Sequence, residues 1–202
     1  MWDQRYNEEG FAYGTVANDF LQAQYGQILA GGKVLCLAEG EGRNAVFLAK
    51  QGYVVTAVDQ SSVGLNKAQQ LAADNGVVIS TVVANLADFD LGTEAWDGIV
   101  SIAAHVPSAL RKQLHGNVQP ALKPGGVFIL EAYTERHLEM EGAGGPPPSQ
   151  KDMFMSLEAL EAELQGLDFA VAAEVERHMV EGKYHRGDSA VVQIVACKTA
   201  KD

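Results

Sequence analysis

The chain has 202 residues, 47% of them hydrophobic and 20% charged. That is ordinary for a soluble globular protein, enough for one well-buried domain and short for two. With 15 Lys plus Arg against 26 Asp plus Glu, the formal charge is -11, which repels a polyanionic backbone and argues against nucleic acid as a partner.

The first 30 residues hold two aromatic-rich pieces, with Trp2, Tyr6, Phe11 and Tyr13, and then a helix. KVLCLA (33–38) is a predicted buried strand followed by a helix over 43–51. YVVTAVD (53–59) is a second strand with a helix over 62–75, and VVISTVVA (77–84) a third strand. WDGIVSIA (96–103) is the fourth, followed by a helix over 107–122, which opens at Pro107 and ends near Lys123-Pro124-Gly125-Gly126. GVFILEAY (126–133) is the fifth. Unbroken Val/Ile/Leu runs alternating with helices predict a parallel sheet covered on both faces.

After the Gly/Pro-rich loop 142–148 and a helix over 156–164, FAVAAEVERHMV (169–180) and DSAVVQIVACK (188–198) are joined only by EGKYHRG. That link leaves no room for a crossover helix, so an antiparallel hairpin is expected. The predicted fold is α/β, Rossmann-like and doubly wound, with a mostly parallel seven-stranded sheet, an antiparallel last strand and helices on both faces. Cys36 and Cys197 lie in apolar runs as small core residues, not a disulfide pair. No basic start with an apolar stretch and cleavage site is seen, and no long apolar span, so a reduced, cytoplasmic protein with no membrane partner is expected.

The stretch most informative about function is VLCLAEGEGRNAVFLA, from Val34 to Ala49. Gly40-x-Gly42-x-x-Ala45 also satisfies the dinucleotide fingerprint, and Asp59 ends the next strand. A pyrophosphate over this turn would face Glu39 and Glu41, and like charges at contact distance are costly. S-adenosylmethionine instead brings a sulfonium, an ammonium and one carboxylate. Glycines would let the backbone approach it, and the helix start with Arg43 could accept its carboxylate. Asp59 can accept two hydrogen bonds from ribose hydroxyls; the competing role is a helix cap before Ser61 and Ser62.

In order, VLCLAEGEGRN, VTAVDQS, VVANLADF, WDGIVSIAAHVP and LKPGGVFILEAY resemble the class I S-adenosylmethionine-dependent methyltransferases over nearly the whole chain. The opening WDQRY with YGT, and the GEGRN turn, are most similar to the small bacterial branch near the tellurite-resistance and thiopurine methyltransferases. The resemblance implies that Gly40 and Gly42 line the methionine part and Asp59 takes the ribose. It places Gln60 beside the adenine and Asn85 with the Leu86 backbone at the adenine edge. Two departures stand out: Cys36 where relatives carry an acid, and Ala38 where they carry a first glycine. Glu39 is a candidate to compensate for the missing acid.

One domain is expected over 1–202. Its segment 1–30, with Tyr13, caps the cofactor, since aromatic faces suit a sulfonium, and 134–155 forms a mobile active-site loop. Ligands of open α/β sheets bind beyond the strands' C-terminal ends, which brings His105, Tyr133, His185 and Arg186 to one rim. His105 is the candidate base, against a plain helix-start histidine. His185 and Arg186 form a candidate substrate face for an anionic or electron-rich acceptor. His115 is expected to be exposed on its helix, and no His, Cys and carboxylate spacing makes a metal site. The expected partner is a small-molecule methyl acceptor, the protein being a monomer or weak homodimer. The rivals are a nicotinamide-dependent oxidoreductase and a cofactor-binding protein without catalysis.

Overall fold

The strands follow the apolar runs: β1 (Lys33–Leu37), β2 (Val54–Asp59), β3 (Ser80–Val83), β4 (Trp96–Ile102), β5 (Leu122–Tyr133), β6 (Asp168–Glu181) and β7 (His185–Cys197). In the computed structural model, which describes residues 2–200, they form one sheet in the order β3-β2-β1-β4-β5-β7-β6. Met1, Lys201 and Asp202, included in the expected 1–202 domain, lie outside the described residues. The first five strands pair in parallel. β7 runs antiparallel to both β5 and β6, as the short link between the last two strands requires.

The helices are α1 (Trp2–Tyr6), α2 (Asp19–Gln24), α3 (Arg43–Lys50), α4 (Ser62–Asp74), α5 (Ser108–Gly116), α6 (Val118–Ala121) and α7 (Leu157–Glu163). Alternation along β1 shows why both sheet faces need cover. Val34 and Cys36 pack with Leu48 of α3 and Leu65 of α4. Leu35 and Leu37 pack on the other side with Leu114 of α5 and Leu160 of α7. Among the described residues, no helix is long and apolar enough to cross a membrane.

Three expectations change in detail. The single helix over 107–122 breaks at Asn117, where Gly116 and Asn117 are poor helix formers and the Asn117 amide donates to the Gln113 carbonyl (3.0 Å). β5 begins at Leu122 rather than Gly126, because Leu122 pairs with Trp96 before a register break. His115 is buried rather than exposed: its Nδ1 lies 2.7 Å from Glu163, which also holds Arg111. A neighbouring helix, α7, covers that face of α5, and no pattern within α5 announces it.

The strand order reverses between β1 and β4: the chain builds outward from β1 through β2 and β3, then restarts at β4. A crevice opens beyond the strand ends at such a point.

Candidate active site

A pocket of about 720 Å³ occupies that crevice, within the ~300–1,000 Å³ usual for small-molecule sites. The chain leaves β1 through Ala38, whose φ of 49° is left-handed, and continues through Gly40 (φ 63°) and Gly42 (φ 90°) into α3. A Cβ on Gly40 would stand 2.5 Å from the Tyr6 hydroxyl, and one on Gly42 2.5 Å from the Ala68 Cβ. Tyr6 and Ala68 by themselves therefore require glycine at these two positions. Glu39 and Glu41 line the pocket, whereas the glycines beside them, Gly40 and Gly42, are not among its lining residues. They shape the turn that carries the residues that line it.

The two glutamates of the turn line the pocket, but each also serves the fold. Glu39 Oε1 accepts the amides of Asn44 (2.9 Å) and Ala45 (2.8 Å) at the start of α3. Burial raises the Glu39 pKa to about 7, against the pull of those amides and of Arg43. Glu41 accepts the Ala12 amide on one oxygen (2.7 Å) and pairs with Lys67 on the other (3.0 Å). The helix start that would bind a pyrophosphate is therefore filled by the chain's own carboxylate, a stronger objection to a dinucleotide than charge alone. The same fact corrects the expectation that this helix start receives a ligand carboxylate. Arg43 does line the pocket, with its Nη2 held 2.7 Å from Glu181.

Asp59, Gln60, Asn85 and Leu86 line one side of the pocket, as does Tyr13 on the segment above it. Asp59 Oδ2 accepts the Gly40 amide (2.9 Å) and Oδ1 the Ser61 amide (2.8 Å). The cap of α4 is Ser61, whose hydroxyl accepts the Gly64 amide, so Asp59 is not that helix's cap. Trp2, Arg5, Tyr6 and Tyr13 from the N-terminal segment also line the pocket. The segment is pinned by Glu41 and by the β6–β7 turn, where the Lys183 amide donates to the Ala12 carbonyl (2.9 Å).

His105, His137 and His185 meet at the other end, packed around Tyr133. His105 Nδ1 lies 2.9 Å from the Met153 carbonyl, and Nε2 accepts the Tyr133 amide (3.2 Å). Burial lowers its pKa to about 4. Both nitrogens are engaged, so the expectation that His105 acts as a base is corrected: it has no free lone pair and instead brackets the ends of β4 and β5. His185 is buried, burial lowers its pKa, and its Nδ1 lies 3.9 Å from Glu181 Oε2, too far to bond. Arg186 does not join it: the side chain is exposed and outside the pocket lining, while its backbone bonds Ala143 in both directions (2.7 and 3.0 Å). Strand alternation turns neighbours to opposite faces, and His185 holds the inner one.

The loop after β5 covers this end with Met140, Gly142–Pro148, Gln150 and Met153. Sequence reasoning missed His137, which nothing local distinguishes, and a buried network beneath the pocket. There the Asn18 amide donates to Glu131 (2.7 Å) and Glu181 (2.9 Å), while Arg177 bridges the same two carboxylates. The signal for it was Glu131, a carboxylate inside the apolar run GVFILEAY: a buried charge demands partners.

A family model for a methyltransferase domain matches residues 34–126. The uncharacterized methyltransferase sll0829 of Synechocystis is 32% identical over 184 residues, covering 85% of this chain and 79% of that protein. This chain belongs to the class I S-adenosylmethionine-dependent methyltransferases. The uncharacterized methyltransferase YbaJ of Bacillus subtilis is 38% identical over 79 residues, 39% of this chain and 31% of that protein, so the chain spans about a third of that relative. The structure of TehB from Haemophilus influenzae superposes with a TM-score of 0.71 at 20% identity, covering 98% of this chain and 66% of that one. At that identity the likeness concerns the fold.

The residues present fit the methyltransferase cofactor. Asp59 stands at the end of β2 within the pocket, Asn85 and Leu86 lie past β3, and a carboxylate rather than an open helix start faces the methionine end. When bound, S-adenosylmethionine supplies an activated methyl group on a sulfonium. Residues of the N-terminal segment and of the loop after β5 both line the pocket that would receive it.

Proposed function

We propose that this methyltransferase transfers a methyl group from S-adenosylmethionine to a small, uncharged, electron-rich acceptor held between His185 and the loop after β5. The observation that carries this reading is the make-up of the acceptor end. Val106, Leu110, Leu138, Met140 and Met153 line it with histidines whose pKa values are lowered by burial. The exposed Arg186 lies outside, and the two arginines that line the pocket are engaged, Arg43 with Glu181 and Arg5 with the Tyr13 hydroxyl and the Tyr184 ring, which favours an uncharged acceptor over an anionic one. The roof formed by the N-terminal segment and the loop favours a small molecule over a polymer. The reading includes a soluble, cytoplasmic enzyme of one domain, monomeric or weakly dimeric.

Where the acceptor must lose a proton, His185 is the base. Its Nδ1 is turned to Glu181 and buried, leaving the Nε2 edge for the pocket. Burial alone would raise the Glu181 pKa, but the guanidinium groups of Arg43 and Arg177 beside it hold it at about 2. Glu181 therefore stays ionised and favours the imidazolium that proton uptake creates. His185 itself is neutral at pH 7 and ready to accept a proton.

The test is a screen of uncharged thiols, hydroxyl compounds and amines against oxyanions and proteins, read by release of S-adenosylhomocysteine. Turnover confined to oxyanions or proteins would sink the reading. With a protic acceptor, His185→Ala should lower kcat by about 100-fold or more and leave S-adenosylhomocysteine affinity unchanged. Unaltered kcat would remove His185 from the proton transfer.

A further inference from the structure

Residues 2–14 form a strap that lines the pocket with Trp2, Arg5, Tyr6, Tyr13 and Gly14. Within the strap only Tyr6 and Ala12 are buried, so little apolar burial ties it to the core. A segment held in this way can lift while the sheet stays folded. Beyond it Thr15 and Val16 are exposed, and Asn18 is fixed by bonds to Asn44, Glu131 and Glu181. The pivot therefore lies between Gly14 and Asn18.

What holds the strap down is polar and comes from two elements. From α4, the Lys67 ammonium donates to the carbonyls of Glu8 (2.9 Å) and Gly10 (2.7 Å) and to Glu41 Oε1 (3.0 Å), with the Phe11 ring 5.7 Å away. From the turn between β6 and β7, the Lys183 ammonium donates to the Glu9 carbonyl (2.7 Å) and stands 3.9 Å from the Glu8 carboxylate, while its amide donates to the Ala12 carbonyl (2.9 Å). Three successive carbonyls are thus held alternately by two lysines. Smaller ties join Ala12 to Glu41, Asp3 to Ser61, and Tyr184 to Glu8 and Arg5. Neither lysine lines the pocket. Their side chains are 27% and 49% exposed, so water can replace each bond as the strap lifts.

We infer that Lys67 and Lys183 are clasps, and that the cofactor enters and leaves when they release the strap. This assignment rests on the S-adenosylmethionine reading above and gives the two lysines a part in exchange without any contact to the ligand. If release of the strap limits exchange, weakening a clasp speeds traffic in both directions. Damage to the binding seat would speed departure alone.

The experiment follows S-adenosylhomocysteine binding and release by stopped flow, with Trp2 as reporter. Trp2 stacks on Tyr6 within the strap at 5.7 Å, and Trp96, the other tryptophan, is replaced by Phe throughout. Lys67→Met also strips Glu41 of its partner, so Lys183→Met decides: its partners Glu8, Glu9 and Ala12 do not line the pocket. Each Met variant should raise the on-rate and the off-rate together, by about 10-fold, with affinity nearly unchanged. Lys183→Arg, which keeps a charged donor, should restore the slow rates. A faster off-rate with an unaltered on-rate, or no change in either for Lys183→Met, would overturn the assignment. A wild-type protein that does not bind S-adenosylhomocysteine overturns the cofactor reading, and this assignment with it.

Discussion

At the cofactor end of the pocket the Gly40 amide rests on Asp59, those of Asn44 and Ala45 on Glu39, and that of Ala12 on Glu41. At the acceptor end, Nδ1 of His137 and Nδ1 of His185 are buried without partners, with their rings 4.5 and 5.3 Å from that of Tyr133. Unmet hydrogen bonds in a buried site cost stability, and their persistence marks a place shaped for something other than stability. One end is a rigid seat built from a contiguous stretch of chain. The other is assembled from β4, the loop after β5 and the last hairpin, and it keeps unsatisfied capacity.

Glu181 joins the two ends, pairing with Arg43 at 2.7 Å and with Arg177 at 3.0 Å while accepting from Asn18. Removing it leaves the buried Arg43 guanidinium without its carboxylate, while Arg177 keeps Glu131. Glu181→Ala should therefore lower stability by about 3–5 kcal/mol, the usual effect of breaking a buried pair from one side. Urea unfolding at pH 7 measures this, and a loss under ~1 kcal/mol would mean that the ends are not coupled through this carboxylate. The pH dependence has a definite sign. The folded pKa of about 2 lies below the ordinary 4.5, so the stabilisation is complete above about pH 4.5 and lost as pH falls towards 2. Glu181→Gln should flatten that part of the acid unfolding profile.

Asp59 sharpens the contrast from the cofactor side. Its carboxylate braces the glycine turn as well as lining the pocket, so Asp59→Ala should affect both properties. Cofactor affinity should fall by about 1.5–3 kcal/mol, roughly ten- to a hundred-fold. Stability without ligand should fall by ~1–3 kcal/mol, because the Gly40 and Ser61 amides lose their acceptor. Titration calorimetry with S-adenosylhomocysteine, beside thermal unfolding, separates the two. Lowered stability with unchanged affinity would make Asp59 a brace for the turn and nothing more.

The same contrast explains what was legible in the sequence. The alternation of strands and helices, the terminal hairpin and the glycine turn were readable because each depends on periodicity or on residues close together in the chain. Asp59 was readable for the same reason, lying at the end of a clear strand. The pairing of Arg43 with Glu181 and of Asn18 with Glu131 was not, because its partners lie more than 100 residues apart, 113 in the second case. The misreadings of His105 and Arg186 have a different source. The chain shows that a residue reaches the rim, but not whether its nitrogens already hold backbone partners, nor which way a strand-end side chain turns.

The smallest expected effect lies where the two ends meet. Ala38 leaves β1 with φ 49° and Ala103 leaves β4 with φ 53°, both lining the pocket on either side of the point where strand order reverses. A Cβ in the left-handed region costs roughly 1–2 kcal/mol, and glycine removes that cost while losing about 0.5–1 kcal/mol through the freedom of the unfolded chain. Ala38→Gly and Ala103→Gly should therefore each raise stability by no more than ~1 kcal/mol. Denaturant midpoints for each variant measure this. The rigid end predicts a further difference: the turn after Ala38 is held by fixed hydrogen bonds on both sides, so Ala38→Gly should leave S-adenosylhomocysteine affinity unchanged. A stabilised Ala38→Gly with weakened affinity would show that the strained alanine, rather than the carboxylate braces, sets the shape of the cofactor seat.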